Sequence, residues 1–209
     1  MKTKFILFDF DGVIADSWDV AFATAKTIHP NITEEDHKRR FEGNINDVKH
    51  IETFHDESCD HDVDWFDIYI PKIKEIGTPL FPRMKEVILE LEKDYMMVVI
   101  SSTLSFPIEE CLVEHNLRDH FDWVMGNDVH KSKVEKIKMV FEKYGVGPQD
   151  CVFITDTLGD MHEAERMQVP SIGVTWGFCT PETLQKGTYL KLVDTPEDLQ
   201  SAINEHFSA

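Results

Sequence analysis

The chain has 209 residues, of which 39 are acidic and 21 basic, and its formal net charge at pH 7 is −18. A field of this sign repels nucleic acid and anionic membranes, so neither is expected as a partner. An anionic ligand would need local positive charge or a bound cation. The length suits one large domain, or one domain that carries a smaller insertion.

The four cysteines are widely spaced and form no Cys-x-x-Cys pair. This usage predicts reduced thiols and a cytoplasmic protein. Cys59 lies close in sequence to His55 and His61, but the spacing matches no familiar zinc pattern, so we predict no zinc site there.

Residues 4–8 form a short apolar run, which predicts a strand buried on both faces. Asp9 and Asp11 follow at once, and Gly12 comes next. Alternation along an extended chain places the two carboxylates on one side. Ionised carboxylates at the end of a buried strand need a partner, and a metal ion is the simplest one. An ordinary Asp-Gly turn is the alternative.

Residues 17–79 have helical rather than strand character. Apolar residues at helical spacing predict a helix that begins at Trp18, and Thr33 is a typical cap for the acidic residues that follow it. Residues 65–76 predict a further helix. A polar loop between these helices is placed to reach a ligand, or is an ordinary solvated turn; it contains Arg39, Arg40, Gly43, Asn44 and Asn46.

From residue 80 onward, helices and strands alternate. Strands are predicted at 95–100, 121–125, 151–154, 171–175 and 190–193, and helices at 84–93, 107–116, 132–144, 161–167 and 196–207. This order predicts an α/β fold: a Rossmann-like parallel sheet with helices on both faces, plus a small inserted α-helical unit. We assign residues 1–16 and 80–209 to the core and 17–79 to the insertion.

Polar residues follow several of these strands. In such sheets ligands bind at the carboxyl ends of the strands. The residues expected to meet at this edge are Asp9, Asp11, Ser101, Lys131, Asp156 and Asp160. Several carboxylates, a hydroxyl and an ammonium group would therefore converge.

Four motifs in order resemble those of the haloacid dehalogenase superfamily, in its phosphoglycolate phosphatase-like group with a helical cap. They are Phe8–Val13, Val98–Ser101, Lys131 and Thr155–Asp160, and they span most of the chain. Two details depart from the family pattern. Thr155 stands where a glycine is usual, and Lys133 competes with Lys131 for the lysine role, although spacing to the fourth motif favours Lys131.

The resemblance implies a Mg²⁺-dependent phosphatase that acts on a small phosphorylated metabolite. Asp9 would attack phosphorus and form an aspartyl-phosphate, and Asp11 would serve as general acid and base. The Mg²⁺ ligands would be the Asp9 side chain, the Asp11 backbone carbonyl and Asp156. The cap would close over the site and exclude water.

The phosphate oxygens would be held by Ser101 and by backbone amides near Gly12 and Ser102. Lys131 would balance the remaining charge, and Asp160 would support the metal shell or orient that lysine.

Two other functions stay open at this stage. A sugar phosphomutase of the same fold typically carries a cap histidine soon after the first motif, and residues 11–27 contain none. A non-catalytic phosphoacceptor or binding module would use the same aspartate, but receiver domains are about half this length. Dehalogenases of this family lack an aspartate at the position of Asp11. The sequence leaves the substrate undefined and allows a monomer or a homodimer.

Overall fold

The computed structural model describes residues 2–53, 56–60 and 62–208 of the chain. Within them, six parallel strands form a sheet in the order β3-β2-β1-β4-β5-β6. The strands are β1 (Phe5–Phe8), β2 (Met96–Ile100), β3 (Trp123–Met125), β4 (Cys151–Thr155), β5 (Ser171–Val174) and β6 (Lys191–Val193). The first strand lies between β2 and β4, so the order of the sheet reverses around it. In sheets of this kind a ligand crevice forms at that reversal.

The helices follow the predicted alternation. They are α1 (Trp18–Ile28), α2 (Glu34–Arg39), α3 (Val48–Glu52), α4 (Trp65–Ile76), α5 (Met84–Leu91), α6 (Ser105–Glu114), α7 (Lys133–Tyr144), α8 (Leu158–Arg166), α9 (Pro181–Leu184) and α10 (Pro196–Ser208). Among the described residues, none of these helices is long and apolar enough to cross a membrane.

Both faces of the sheet are covered, as the apolar strands predict. Ile6 and Phe8 of β1 belong to a buried apolar cluster with side chains of α5, α6 and α10. Phe5 and Leu7 point to the other face and pack with side chains of α7 and α8. Successive residues of a strand alternate between faces, so a fully apolar strand is what a sheet buried on both sides requires. The predicted α/β class and the helices on both faces are confirmed.

The largest shift in a helix boundary occurs next to the site. Helix α8 begins at Leu158 and not at residue 161, because the side chain of Thr157 accepts a hydrogen bond from the backbone N–H of Asp160 and caps the helix. With Thr157 as the N-terminal cap of α8, Asp160 lies in the first turn of the helix that follows β4.

Helices α1–α4 occupy the inserted segment between β1 and α5. The two chain segments that join them to the core lie side by side: the N–H of Asp16 donates to the carbonyl of Pro79 at 2.8 Å, and the N–H of Phe81 donates to Ile14 at 3.1 Å. These hydrogen bonds lie next to residues 16/17 and 79/80, where the sequence analysis divides the chain. His55 and His61 lie outside the described residues.

The insertion has its own apolar cluster, in which Val20 of α1 and Tyr69 of α4 are buried. Phe178 of the core, in the loop after β5, belongs to the same cluster and packs edge-on against Phe41 at a ring-centroid distance of 4.9 Å. A core side chain therefore anchors the insertion, which we call the cap from here on.

Candidate active site

Asp9 lies at the carboxyl end of β1, and only 6% of its surface is exposed. Its backbone N–H donates to the carbonyl of Ile154, which extends the ladder between β1 and β4 to this residue. One carboxylate oxygen accepts the backbone N–H of Phe10 at 2.8 Å, and the other contacts a lysine ammonium group at 2.8 Å. Burial raises the pKa of Asp9 well above its usual range; the lysine opposes this shift, and the nearby Asp160 and Asp156 add to it.

The lysine that contacts Asp9 is Lys133, two residues after the predicted Lys131. Lys133 is buried at the first position of α7, and its Nζ lies 2.8 Å from Asp9 and 2.5 Å from Asp160. Burial by itself would lower the pKa of Lys133, but the charges of Asp160 and Asp9 outweigh it and raise the pKa above its usual value. Lys131 is exposed, and its backbone carbonyl accepts a hydrogen bond from the side chain of Asn46 at 3.0 Å.

The sequence does contain a signal for Lys133. The buried residues of α7 are Lys133, Lys136, Ile137 and Val140, which is an i, i+3, i+4, i+7 pattern. Two lysines occupy the core-facing stripe of this helix. Because lysine is almost never fully buried without a partner, this placement indicates buried acceptors beneath α7.

Lys136 is a buried cation that the sequence analysis missed. Its Nζ donates to the backbone carbonyls of Ser101 and Gly126, which follow β2 and β3. Burial, helped by the charge of Lys133, lowers the pKa of Lys136 to about 7. This lysine ties the ends of two strands together beneath the site.

Asp160 is held as an ionised group in the first turn of α8. One of its oxygens accepts hydrogen bonds from Lys133 and, at 2.9 Å, from the hydroxyl of Thr155. Burial acts to raise the pKa of Asp160, but Lys133 and these hydrogen bonds outweigh it and bring the pKa below its usual value. Thr155, which departs from the family pattern, thus supplies a donor that glycine would lack.

Asp156 is fully buried directly after β4 and packs against two glycines. A Cβ atom at Gly12, whose φ is +74°, or at Gly177 would overlap the Asp156 carboxylate. One oxygen of Asp156 accepts the backbone N–H of Phe178 at 2.7 Å, and the other has no hydrogen-bond partner among the described residues. Burial is the main cause that raises the pKa of Asp156 to about 7.

The carboxylate of Asp11 is surrounded by hydroxyl groups. Ser17 and Tyr69 donate to one oxygen at 2.7 and 2.8 Å, and Thr103 donates to the other at 2.7 Å. Ser101, which was predicted to bind phosphate, is a more distant donor at 3.4 Å. Ser17 and Tyr69 belong to the inserted segment and Thr103 to the core, so Asp11 joins the two units.

A cavity of about 280 Å³ lies between cap and core, and both units line it. The core contributes predicted site residues, namely Asp9, Asp11, Ser101, Ser102 and Asp160, together with Lys133. The cap contributes His37, Arg40, Tyr69 and the loop of residues 43–46. The cavity thus brings together three of the predicted carboxylates and the Ser101 hydroxyl, whereas its ammonium group comes from Lys133 and not from the predicted Lys131.

Small residues let the cap loop sit close to the core. A Cβ atom at Gly159, in the first turn of α8, would overlap the backbone carbonyl of Gly43. The side chain of Asn46 donates to the carbonyl of Lys131, as described above. The loop is thus fixed over the sheet edge, and the cap wall of the cavity has a defined position relative to Asp9.

Comparisons with known proteins identify relatives of this chain. Residues 6–174 match the family model described as haloacid dehalogenase-like hydrolase. The chain is similar to the phosphoglycolate phosphatase of Escherichia coli strain K12, with 25% identity over 144 residues, which are 67% of this chain and 54% of that protein. The relative from Salmonella typhimurium is 25% identical over 142 residues, 66% of this chain and 56% of its own length. The chain thus spans about half the length of these curated relatives.

Solved structures show the same fold. A haloacid dehalogenase-like family hydrolase from Streptococcus pneumoniae superimposes with a TM-score of 0.75 at 20% identity, over 96% of this chain and 98% of that one. A protein from Clostridium acetobutylicum, described as a predicted phosphatase, has a TM-score of 0.77 at 23% identity and covers 98% and 100%. The family model covers most of the chain, and we conclude that the chain belongs to the haloacid dehalogenase-like hydrolases.

Proposed function

We propose that this protein is a Mg²⁺-dependent phosphatase that hydrolyses small phosphate monoesters through an aspartyl-phosphate on Asp9. The observation that carries the proposal is the pairing of Asp9 with Lys133 at 2.8 Å on the floor of the cavity between cap and core. A nucleophilic carboxylate and a fixed positive charge at one point are what phosphoryl transfer requires.

The residues present fit a magnesium ion. Among the described residues, no group of three or more His, Cys, Asp or Glu side chains could hold a metal by themselves. Mg²⁺ does not need such a group, because it is usually bound by one or two carboxylates and retains several waters. The buried oxygen of Asp156 that lacks a hydrogen-bond partner suits a cation. Asp156, the Asp9 side chain and the Asp11 carbonyl would hold the ion, which would reduce the repulsion between Asp9 and phosphate.

The first half of the reaction is assigned to Asp9 and Asp11. A carboxylate oxygen of Asp9 bonds to phosphorus while the bond from phosphorus to the ester oxygen breaks. Asp11, protonated at its carboxyl group, gives its proton to that oxygen, so that an alcohol leaves. Alternation along the chain places both side chains on the same side of the strand end.

In the second half, the ionised carboxylate of Asp11 takes a proton from water, whose oxygen bonds to phosphorus. The bond between phosphorus and Asp9 breaks, inorganic phosphate forms and the free carboxylate returns. The hydroxyls of Ser17, Tyr69 and Thr103 fix the orientation of Asp11 for these two proton transfers.

Charge and hydrogen bonds for the phosphate oxygens come from the core. Lys133 takes the charge-balancing role that the sequence analysis gave to Lys131, and Asp160 holds Lys133 in position at 2.5 Å. Ser101, Ser102 and the backbone near Gly12 remain the proposed contacts to the oxygens, since both serines line the cavity. The cap excludes bulk water while the ester is bound.

A small substrate agrees with the cavity, which at about 280 Å³ lies near the lower end of the usual range for ligand pockets, roughly 300–1,000 Å³. Because the curated relatives are named phosphoglycolate phosphatases, phosphoglycolate is the first metabolite to test. Location in the cytoplasm and a monomeric or homodimeric state belong to the same proposal.

The test is hydrolysis of an aryl phosphate with and without Mg²⁺, for wild type and for Asp9→Asn. We expect metal-dependent turnover that disappears in Asp9→Asn, since the amide is a poor nucleophile. Asp94→Asn, the same chemical change at an exposed turn of the core, should retain full turnover. Wild-type protein without turnover, or equal turnover in Asp9→Asn, would refute the assignment.

A further inference from the structure

The buried amine of Lys136 holds the loop that follows β2. Its side chain is fully buried on α7, and Lys136 is not among the described residues that line the cavity. The Nζ atom donates to the backbone carbonyl of Ser101 and, at 3.3 Å, to that of Gly126. Among the described residues, no other group donates to the carbonyl of Ser101. The orientation of this carbonyl therefore depends on Lys136.

An amine is a costly group in this position. Lysine is almost never fully buried unless it is paired, and no carboxylate of the described residues lies within ion-pair distance of Lys136. A methionine has a similar length and would fill the same space without the cost of burying a charge. Packing alone does not explain the amine, whose hydrogen bonds to the two strand ends are the property that methionine lacks.

The carbonyl of Ser101 and the N–H of Ser102 belong to one peptide group. The peptide bonds of the described residues are trans, and in a trans peptide the C=O and the N–H point in opposite directions. The hydrogen bond to Lys136 therefore turns the N–H of Ser102 away from α7. This N–H has no hydrogen-bond partner among the described residues, and Ser102 lines the cavity. It is a backbone donor that a bound anion can use.

Further hydrogen bonds join this loop to the site. The hydroxyl of Ser101 accepts the N–H of Thr103 at 3.0 Å, and the hydroxyl of Thr103 donates to Asp11 at 2.7 Å. The carbonyl of Thr103 accepts the N–H of Asn127, in the segment after β3, at 2.8 Å. Lys136 binds a carbonyl in each of these two segments, so it fixes the loop after β2 from below.

We propose that Lys136 is a positioning residue for the reaction, which acts through the peptide group between Ser101 and Ser102 and directs the N–H of Ser102 at an oxygen of the bound phosphoryl group. This inference rests on the proposed phosphatase function and deepens it, because it assigns a role to a lysine that does not touch the substrate. A preorganised backbone N–H stabilises the negative charge that develops in the transition state.

The role does not depend on the charge of Lys136. Burial is the main cause that lowers its pKa to about 7, and the charge of Lys133 adds to this shift. An ammonium group and a neutral amine both carry at least two N–H donors. Both hydrogen bonds, and with them the orientation of the peptide group, therefore persist in either form.

The experiment measures the binding of inorganic phosphate by calorimetry in the presence of Mg²⁺, so that it does not depend on turnover. Lys136→Met removes the donors, and Lys136→Gln keeps an amide donor with a shorter reach. The matched control is Lys138→Met, which makes the same change of charge on α7 at an exposed side chain that pairs with Glu135 at 2.6 Å. Circular dichroism checks that each variant is folded, and two-dimensional NMR follows the amide proton of Ser102.

We expect wild type and Lys138→Met to bind phosphate equally and Lys136→Met to bind it about ten- to one-hundredfold more weakly, as for the loss of a hydrogen bond to a charged group. The affinity of Lys136→Gln should lie between them. Phosphate should shift the amide proton of Ser102 downfield in wild type but not in Lys136→Met. A merely structural lysine would instead leave the phosphate affinity of the folded variants unchanged.

Three results would overturn the proposal: wild-type affinity in either folded Lys136 variant, an amide proton of Ser102 that phosphate does not shift in wild type, or no binding of phosphate by wild type. The second and third are measured on wild type, so they stay decisive even where a variant does not fold. Phosphate binding with the expected differences, but without turnover of an aryl phosphate, would refute only the phosphatase proposal.

Discussion

Replacement of Lys133 by methionine tests which lysine belongs to the site. The Lys133 side chain is 3% exposed and contacts Asp9 and Asp160 at 2.8 and 2.5 Å. Removal of one partner from a buried ion pair costs about 3–5 kcal/mol, because the other charge is left buried without compensation. We expect the free energy of unfolding of Lys133→Met to fall by about 3 kcal/mol, as measured by urea unfolding at pH 7 without Mg²⁺.

The same substitution should also impair turnover of an aryl phosphate. Loss of one preorganised charge-stabilising donor costs about 10²–10³ in kcat for other enzymes, and we expect a decrease of this size. Addition of Mg²⁺ should stabilise Lys133→Met more than it stabilises wild type, since the carboxylates of Asp9 and Asp160 then lack their ammonium partner.

Lys131→Met is the matched control. This side chain is exposed and has no ion pair with the residues that the structure describes, and the backbone carbonyl of Lys131 accepts a hydrogen bond from Asn46. Surface substitutions of this kind usually change stability by at most about 0.5 kcal/mol, and we expect near-normal turnover. A larger loss in Lys131→Met than in Lys133→Met, or wild-type stability in Lys133→Met, would refute the assignment of the lysine.

Two further predictions concern the cap. The substitution Tyr69→Phe removes the hydrogen bond that the Tyr69 hydroxyl donates to Asp11 at 2.8 Å. Burial is the main cause that raises the pKa of Tyr69 well above its usual value, so the hydroxyl is a donor at neutral pH. Steady-state kinetics should show that kcat falls about tenfold while KM changes little. A hydrogen bond to a charged group contributes about 1.5–3 kcal/mol, and Ser17 still donates to the same oxygen of Asp11. A rise in KM alone would contradict a role of Tyr69 in orienting Asp11. For His37, the pKa of about 3 in the folded protein lies below the unfolded value of 6.5, so the unfolded chain binds the extra proton and stability falls as the pH drops below 6.5. Urea titrations should assign about 2 kcal/mol of the loss between pH 7 and pH 5 to this residue, and His37→Gln should lack that part of the loss; an unchanged profile in the variant would refute it.

The sequence alone was sufficient for the sheet and for the carboxylates at its edge. A short apolar run such as Phe5–Phe8 is stable as a strand that is covered on both faces of the sheet. Asp9 follows this run directly in the chain. The same holds for Asp156 after β4. Local hydrophobicity fixes where a buried strand ends, so the residues immediately after it are located without knowledge of the rest of the fold.

The choice of lysine depended on tertiary structure. Lys131 and Lys133 lie two residues apart, and spacing to the fourth motif favoured the first. The burial of Lys133 is stabilised by carboxylates from β1 and α8, and no local pattern shows that those groups lie beneath the start of α7. The local sequence contains one indication that Lys133 is buried, namely its place with Lys136 among the core-facing residues of α7. This indication can be interpreted once the buried acceptors are known.

The cap residues of the site were also decided by tertiary structure. Tyr69 and Asp11 are separated by 58 positions, and Tyr69 reads from sequence as one more apolar residue of an amphipathic helix. Arg40 was predicted only as part of a polar loop, and only the tertiary structure shows that it is buried and lies over the ring of Trp65 in α4. The hydrophobicity of each strand is enough to predict that it is buried in the sheet. Contacts between cap and core arise because segments distant in the sequence pack together, and the composition of neither segment specifies that packing.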